Sequence, residues 1–150
     1  MPDVVLRPAS AQDAHDIARI LRAALAAFDW MPQLQTPDED LRFVRGSLLN
    51  DQQVTVATIR DDIVGFVAVK GDWIEQFYLD PPWTGRGIGS HLLRHVTMGM
   101  THVKLFCCKA NAGARRFYER HGFKAEAFGD GSGNQEGLPD IRYVRTGDAA

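Results

Sequence analysis

The sequence predicts an α+β fold: one domain over residues 1–150, built on a mixed central sheet of six or seven strands with helices on both faces. Three observations predict it. Apolar segments at 53–59, 63–70 and 73–79 are separated by the short polar turns Arg60-Asp61-Asp62 and Gly71-Asp72, the pattern of an antiparallel meander. A glycine cluster then leads directly into apolar residues at helical spacing. Finally, the chain closes on a strand, a helix and two further strands.

Taken in order, residues 4–7 read as a short strand, and Ser10 opens a helix whose apolar residues Ala14, Ile17, Ala18, Leu21 and Leu25 share one stripe. After a loop around Trp30-Met31-Pro32, Thr36 with Pro37 begins a second, shorter helix carrying Leu41, Phe43, Val44 and Leu48. The three meander strands follow, then the glycine helix. Residues 103–107 make another strand, a helix starts at Asn111, and the tail offers strands at 123–128 and 141–144. No internal repeat or low-complexity segment interrupts this order.

The richest stretch runs from Trp73 to Leu93, WIEQFYLDPPWTGRGIGSHLL. Ile74, Phe77, Tyr78 and Leu79 form a strand that Pro81 and Pro82 must end, because neither can donate to a ladder. Gly85, Gly87 and Gly89 then strip side chains from the turn, while Ile88, Leu92, Leu93 and Val96 recur at helical spacing. A helix N-terminus presents N–H groups without internal partners, so glycines that admit a phosphate make this junction a pyrophosphate cradle. A Walker loop would need a lysine after the glycines, and the dinucleotide fingerprint needs G-x-G-x-x-G; neither pattern is present.

The spacing resembles the acetyl-CoA loop of the GNAT superfamily of N-acetyltransferases, here Thr84-Gly85-Arg86-Gly87-Ile88-Gly89. Thr84 stands where that family usually has a longer Gln or Arg. A second segment, Asn111 to Phe123, matches the family's N-x-x-A-x-x-F-Y-x-x-x-G-F at every fixed position. Its local physics reads as a capped amphipathic helix: Asn111 caps, Ala114, Phe117 and Tyr118 share a face, and Gly122 supplies the left-handed stop.

The resemblance covers nearly the whole chain and implies a GNAT-like fold whose fourth and fifth strands splay apart to admit the pantetheine arm of acetyl-CoA. Phe77, Tyr78 and Leu79 would then offer the backbone edge, and Gly85, Arg86, Gly87, Ile88, Gly89, Ser90 and Asn111 would complete the cofactor contacts. Arg94, Arg115, Arg116 and Arg120 either meet the CoA phosphates or are solvated helix charges. By resemblance, Tyr118 protonates the leaving thiolate.

Only a neutral amine attacks a thioester, and an amine of lysine-like pKa, about 10.4, is protonated at neutral pH, so a base or water route is required. Glu75, on the strand leading to the cradle, either fills that role or is an ordinary sheet-surface charge. Some relatives place a glutamate five residues ahead of the second motif's Asn, but that position is Phe106 here. Trp30 and Met31 either wall an acceptor pocket or cover core. Asp130, with Glu136 and Asp140, either draws in a cationic substrate or belongs to a solvated hairpin loop.

The net charge of −2 and sequence pI near 6.2 argue against a nucleic-acid surface or a polybasic membrane patch. No apolar run approaches the roughly 18 residues of a membrane span, and the N-terminus lacks a signal-peptide pattern, so a cytoplasmic protein is expected. Cys107 and Cys108 read as structural thiols, and the five histidines show no metal spacing beyond His91 and His95. The expectation is an acetyl-CoA-dependent transferase without a metal. Its partner is a small-molecule amine, with a protein lysine or N-terminus, or a non-catalytic acyl-CoA sensor, as the alternatives. Exposed strand edges in so small a domain suit a homodimer.

Overall fold

The computed structural model describes residues 3–147. Among them, seven strands form one mixed sheet in the order β1-β2-β3-β4-β5-β7-β6, flanked by helices, so the α+β expectation holds. The chain forms two compact units: the described part of Met1–Lys70 with Glu75–Val96, and Gly71–Ile74 with the described part of Thr97–Ala150.

In the first unit, β1 (Val5–Pro8) ends at a polar clamp. The Asp13 carboxylate accepts from the Ser10 N–H at 2.7 Å and from both terminal nitrogens of Arg7 at 2.8 and 2.9 Å. Ser10 therefore opens a single 3-10 turn, Ala11–Asp13, from which α1 (Ala14–Ala26) grows. The predicted stripe is buried, together with Ile20 and Ala24, except that Leu25 is half-buried.

α2 (Pro37–Phe43) starts with a reciprocal cap: Thr36 Oγ1 accepts from the Glu39 N–H, and Glu39 Oε1 accepts from the Thr36 N–H. The helical course continues through a π turn (Val44–Leu48) into α3 (Leu49–Asp51). The wider turn buries both Val44 and Leu48 completely, and Asn50 Nδ2 donates to the Gly46 carbonyl at 3.1 Å.

β2 (Gln53–Ile59) and β3 (Asp62–Lys70) form a hairpin. Its two-residue turn has positive φ at both Arg60 (52°) and Asp61 (68°), the handedness that matches strand twist. β3 is buried from Ile63 to Val69. Beside it runs β4 (Trp73–Leu79). A Cβ at Gly65 would collide with the Leu79 side chain and lie 3.2 Å from the Tyr78 carbonyl oxygen, so this glycine sets how closely β4 can approach. Ile17, Ile20, Val44, Leu48, Val56 and Phe66 form the core here, with Tyr78 packed against it.

In the second unit, the first residues of β4 pair in parallel with β5 (His102–Cys108) through Trp73↔Lys104. The Lys104 N–H donates to the Asp72 carbonyl at 2.8 Å. β7 (Asp140–Thr146) lies between β5 and β6 (Lys124–Gly129) and is antiparallel to both. Pairing extends β7 beyond the predicted 141–144: Asp140 has partners on both neighbours, and Arg145 and Thr146 pair with β5. No helix among the described residues is long and apolar enough to cross a membrane.

The clamp at Asp13 makes a pH-dependent contribution. Hydrogen bonds from Arg7, aided by Ser10, hold its carboxyl below the ordinary 3.8. A carboxyl depressed on folding adds stability above its unfolded value and loses it as pH falls through the folded value. Asp13→Asn should therefore cost on the order of 1 kcal/mol at pH 7, a modest figure because Arg7 is half exposed. The gap to the parent should narrow below about pH 4, as read from urea unfolding at pH 7 and pH 3; a gap of equal size at both would contradict it.

Candidate functional site

The site begins where β4 ends. The Asp80 N–H donates to the Val64 carbonyl at 2.8 Å, its carbonyl accepts from the Trp83 N–H at 2.8 Å, and its carboxylate accepts from Arg19 at 3.2 Å. This anchors a 3-10 turn, Pro81–Trp83, where the two prolines need no N–H partner. The chain then turns through Gly85 (φ 74°) and Gly87 (φ 85°), a left-handed backbone that favours glycine, and enters α4 (Ile88–Thr97).

The His91 N–H to Gly87 carbonyl bond, 3.1 Å, opens the helix ladder, so the N–H groups of Ile88, Gly89 and Ser90 precede it and belong to the electropositive helix end. A Cβ built at Gly85 or Gly87 would meet no atom within 4 Å; the outer side of the loop is open, and only the backbone conformation demands glycine there. Ile88, Leu92 and Leu93 are buried and hold the helix start in place.

Thr84, at the family's long-residue position, folds back on its own turn: its Oγ1 donates to the Pro81 carbonyl at 3.0 Å. The charge at the loop comes instead from Arg86, whose guanidinium lies over the Trp83 ring at 5.0 Å. Trp83 and Asp80 were not singled out from the sequence; the only local signal was an aromatic three residues ahead of an arginine. On β4, Phe77, Tyr78 and Leu79 are half-buried, with the Tyr78 ring 6.0 Å from Phe66, and Glu75 is exposed. Trp30 stacks on Phe28 at 4.7 Å, and the Met31 N–H donates to the Phe28 carbonyl. All of these lie in the first unit.

The second unit carries the other motif on α5 (Ala112–Arg120). Asn111 Oδ1 caps it by accepting from the Ala114 N–H at 3.1 Å, which leaves its amide NH₂ as the group available to a ligand. Tyr118 is buried among the rings of Phe117, Phe123 and Tyr143, at centroid distances of 5.3, 5.6 and 6.2 Å. Arg115 and Glu119, a turn apart, both bond the hydroxyl of Tyr143 on β7. Burial raises the Tyr143 phenol, while Arg115 lowers it and Glu119 raises it. Arg115 thus has a definite place between Tyr143 and the Lys109 carbonyl. Burial pushes the Cys107 thiol up to about 12 and raises Cys108 as well, which keeps both protonated and fits the structural reading.

Asp130 is exposed and accepts from the Ser132 N–H at 2.9 Å, closing its own turn; the bond from the Ser132 hydroxyl, then that from its N–H, lowers the carboxyl. Asn134 organises the rest of the loop: it exchanges bonds with Leu138 (2.7 and 3.2 Å) and donates to Asp140 at 3.3 Å. The loop is therefore internally ordered, with the Asp140 carboxylate tied in.

Residues 50–125 match the acetyltransferase (GNAT) domain, more than half of the chain, and the chain belongs to that family. Among curated proteins it is 33% identical over 76 residues to the protein named uncharacterized N-acetyltransferase YafP of Escherichia coli strain K12, covering 51% of this chain and 49% of that one. It is 31% identical over 67 residues to the peptidyl-lysine N-acetyltransferase YjaB of Salmonella typhimurium, covering 45% and 46%. The chain thus spans about half the length of the curated relatives it matches. In fold it is similar to the crystal structure of PaiA N-acetyltransferase from Thermoplasma acidophilum in complex with coenzyme A. The TM-score is 0.77 over 97% of this chain and 99% of that one, at 19% identity.

Glycines shape the loop that carries Asp130, but not all to the same degree. Gly131 has φ 96°, and a Cβ there would sit 2.5 Å from the Gly137 carbonyl oxygen, whereas one at Gly133 would touch nothing within 4 Å. Gly131→Ala should cost about 1–3 kcal/mol and Gly133→Ala less than about 1, by chemical denaturation. Equal costs would contradict this loop geometry.

Proposed function

We propose that residues 1–150 form a single N-acetyltransferase domain that transfers acetyl from acetyl-CoA directly to a primary amine of a small molecule. The observation that carries this reading is the left-handed glycine backbone at Gly85 and Gly87 opening onto the N-terminus of α4, in a chain of the GNAT family. The coenzyme A complex of the similarly folded Thermoplasma acidophilum protein supports the same cosubstrate.

Acetyl-CoA supplies the activated acetyl thioester. The backbone from Gly85 to Ser90 binds the pyrophosphate, where helix N–H groups favour anions, and Arg86 on its Trp83 platform adds positive charge. The backbone of Phe77, Tyr78 and Leu79 and the Asn111 amide hold the pantetheine arm. Glu75, exposed on β4, takes the proton from the amine directly or through water. Tyr118 donates its phenolic proton to the departing thiolate, and the proton shed by the amine balances it. Trp30, Met31 and Asp130 contact the acceptor. Two unpaired cysteines fit a reducing cytoplasm.

A second reading, in which the acceptor is a protein lysine, is favoured by the peptidyl-lysine activity in the name of the Salmonella typhimurium relative. A panel of small amines and lysine peptides, assayed by CoA release, separates the two. In the same assay Tyr118→Phe should lose roughly 10²-fold or more in turnover while keeping its affinity for acetyl-CoA. Full turnover in that variant would remove Tyr118 from the chemistry, and acetyl-CoA binding without CoA release for any amine would favour a non-catalytic sensor.

A further inference from the structure

We propose that Tyr143 is a positioning residue for Tyr118: its hydroxyl, shared by Arg115 and Glu119, fixes the axial position and rotation of α5 and thereby the phenol that α5 carries. This rests on the proton-donor reading of Tyr118. α5 has nine residues, too few to be stable alone, so its placement comes from contacts. The cap at Asn111 and the bond between His121 Nδ1 and the Phe117 carbonyl, 2.8 Å, secure the helix to itself and not to the sheet.

Tyr143 supplies a directional tie to the sheet. It stands on β7, a strand paired on both sides, and is fully buried. Its hydroxyl donates to Glu119 Oε2 at 2.8 Å and accepts from Arg115 Nε at 3.4 Å; Arg115 also donates to the Lys109 carbonyl at 3.3 Å. Because Arg115 and Glu119 are four residues apart, one oxygen grips the helix at two points a turn apart along its axis. Tyr118 is the residue next to Glu119, and its ring rests on the Tyr143 ring at 6.2 Å. Ring packing among Phe117, Phe123 and Tyr143 is weakly directional, whereas the hydrogen bonds at the Tyr143 hydroxyl fix both distance and direction. A displacement on the order of 1 Å at a reacting group is enough to cost about 10²-fold in rate.

The test removes the hydroxyl and keeps the ring. Tyr143→Phe should lower kcat about tenfold or more, with KM for acetyl-CoA and for the amine changed by less than about twofold. Glu119→Ala should do the same, and Glu119→Gln, which keeps an acceptor, should restore most of the rate. The chain has three tyrosines, so ring-labelled [13Cζ]tyrosine NMR resolves Tyr118, whose resonance should shift or broaden in Tyr143→Phe. If Tyr118→Phe is inactive, the inference requires both the fall in kcat and the displaced Tyr118 resonance; the absence of either overturns it. If Tyr118→Phe turns over like the parent, the proton-donor reading has failed by itself. The resonance alone then decides: displaced, the positioning stands; unmoved, it is overturned.

Discussion

The passage from β4 into α4 is the constraint on which the candidate site depends. Between the end of β4 at Leu79 and the start of α4 at Ile88, the backbone turns left-handed at Gly85 and Gly87, at φ values that other residues rarely adopt. Asp80 fixes where that passage starts by bonding to Val64, Trp83 and Arg19 together. Burial of Ile88, Leu92 and Leu93 fixes where it ends. Between these anchors, the N–H groups at the start of α4 have a set direction, and no side chain from the loop glycines stands in front of them.

The second unit solves a different problem with the same economy of contacts. The short helix α5 packs its aromatic residues against β7, a strand with a neighbour on each edge. Tyr143 links the two by packing its ring under α5 and bonding its hydroxyl to Arg115 and Glu119. Cys107 is buried, which raises its thiol pKa, and it packs in this unit as a small apolar side chain.

What the sequence made legible was local. The glycine loop, the helix start at Thr36, the Asn111 cap and the β2–β3 hairpin depend on residues a few positions apart, and they appear where spacing places them. What it left hidden was long-range pairing. Asp80 and Arg19 lie 61 residues apart, and Tyr143 and Glu119 lie 24 apart; nothing in their neighbourhoods announces the partner. The insertion of β7 between β5 and β6 is likewise set by pairing, which is why its ends ran past the apolar core of the segment. Thr84 illustrates a subtler limit. Its mismatch with the family pattern was visible, but its bond to the Pro81 carbonyl and the stacking of Arg86 on Trp83 emerge only when the turn is folded.

The most direct measurement of the central claim is calorimetric titration with acetyl-CoA of the parent and of Gly87→Ala, with circular dichroism establishing that the variant is folded. A methyl at Gly87 meets no protein atom within 4 Å, so its effects are confined to the backbone turn and to whatever the cradle holds. The cradle account predicts saturable binding by the parent and at least a roughly tenfold weaker affinity in the folded variant, about 1.4 kcal/mol. Equal affinity in both would contradict it.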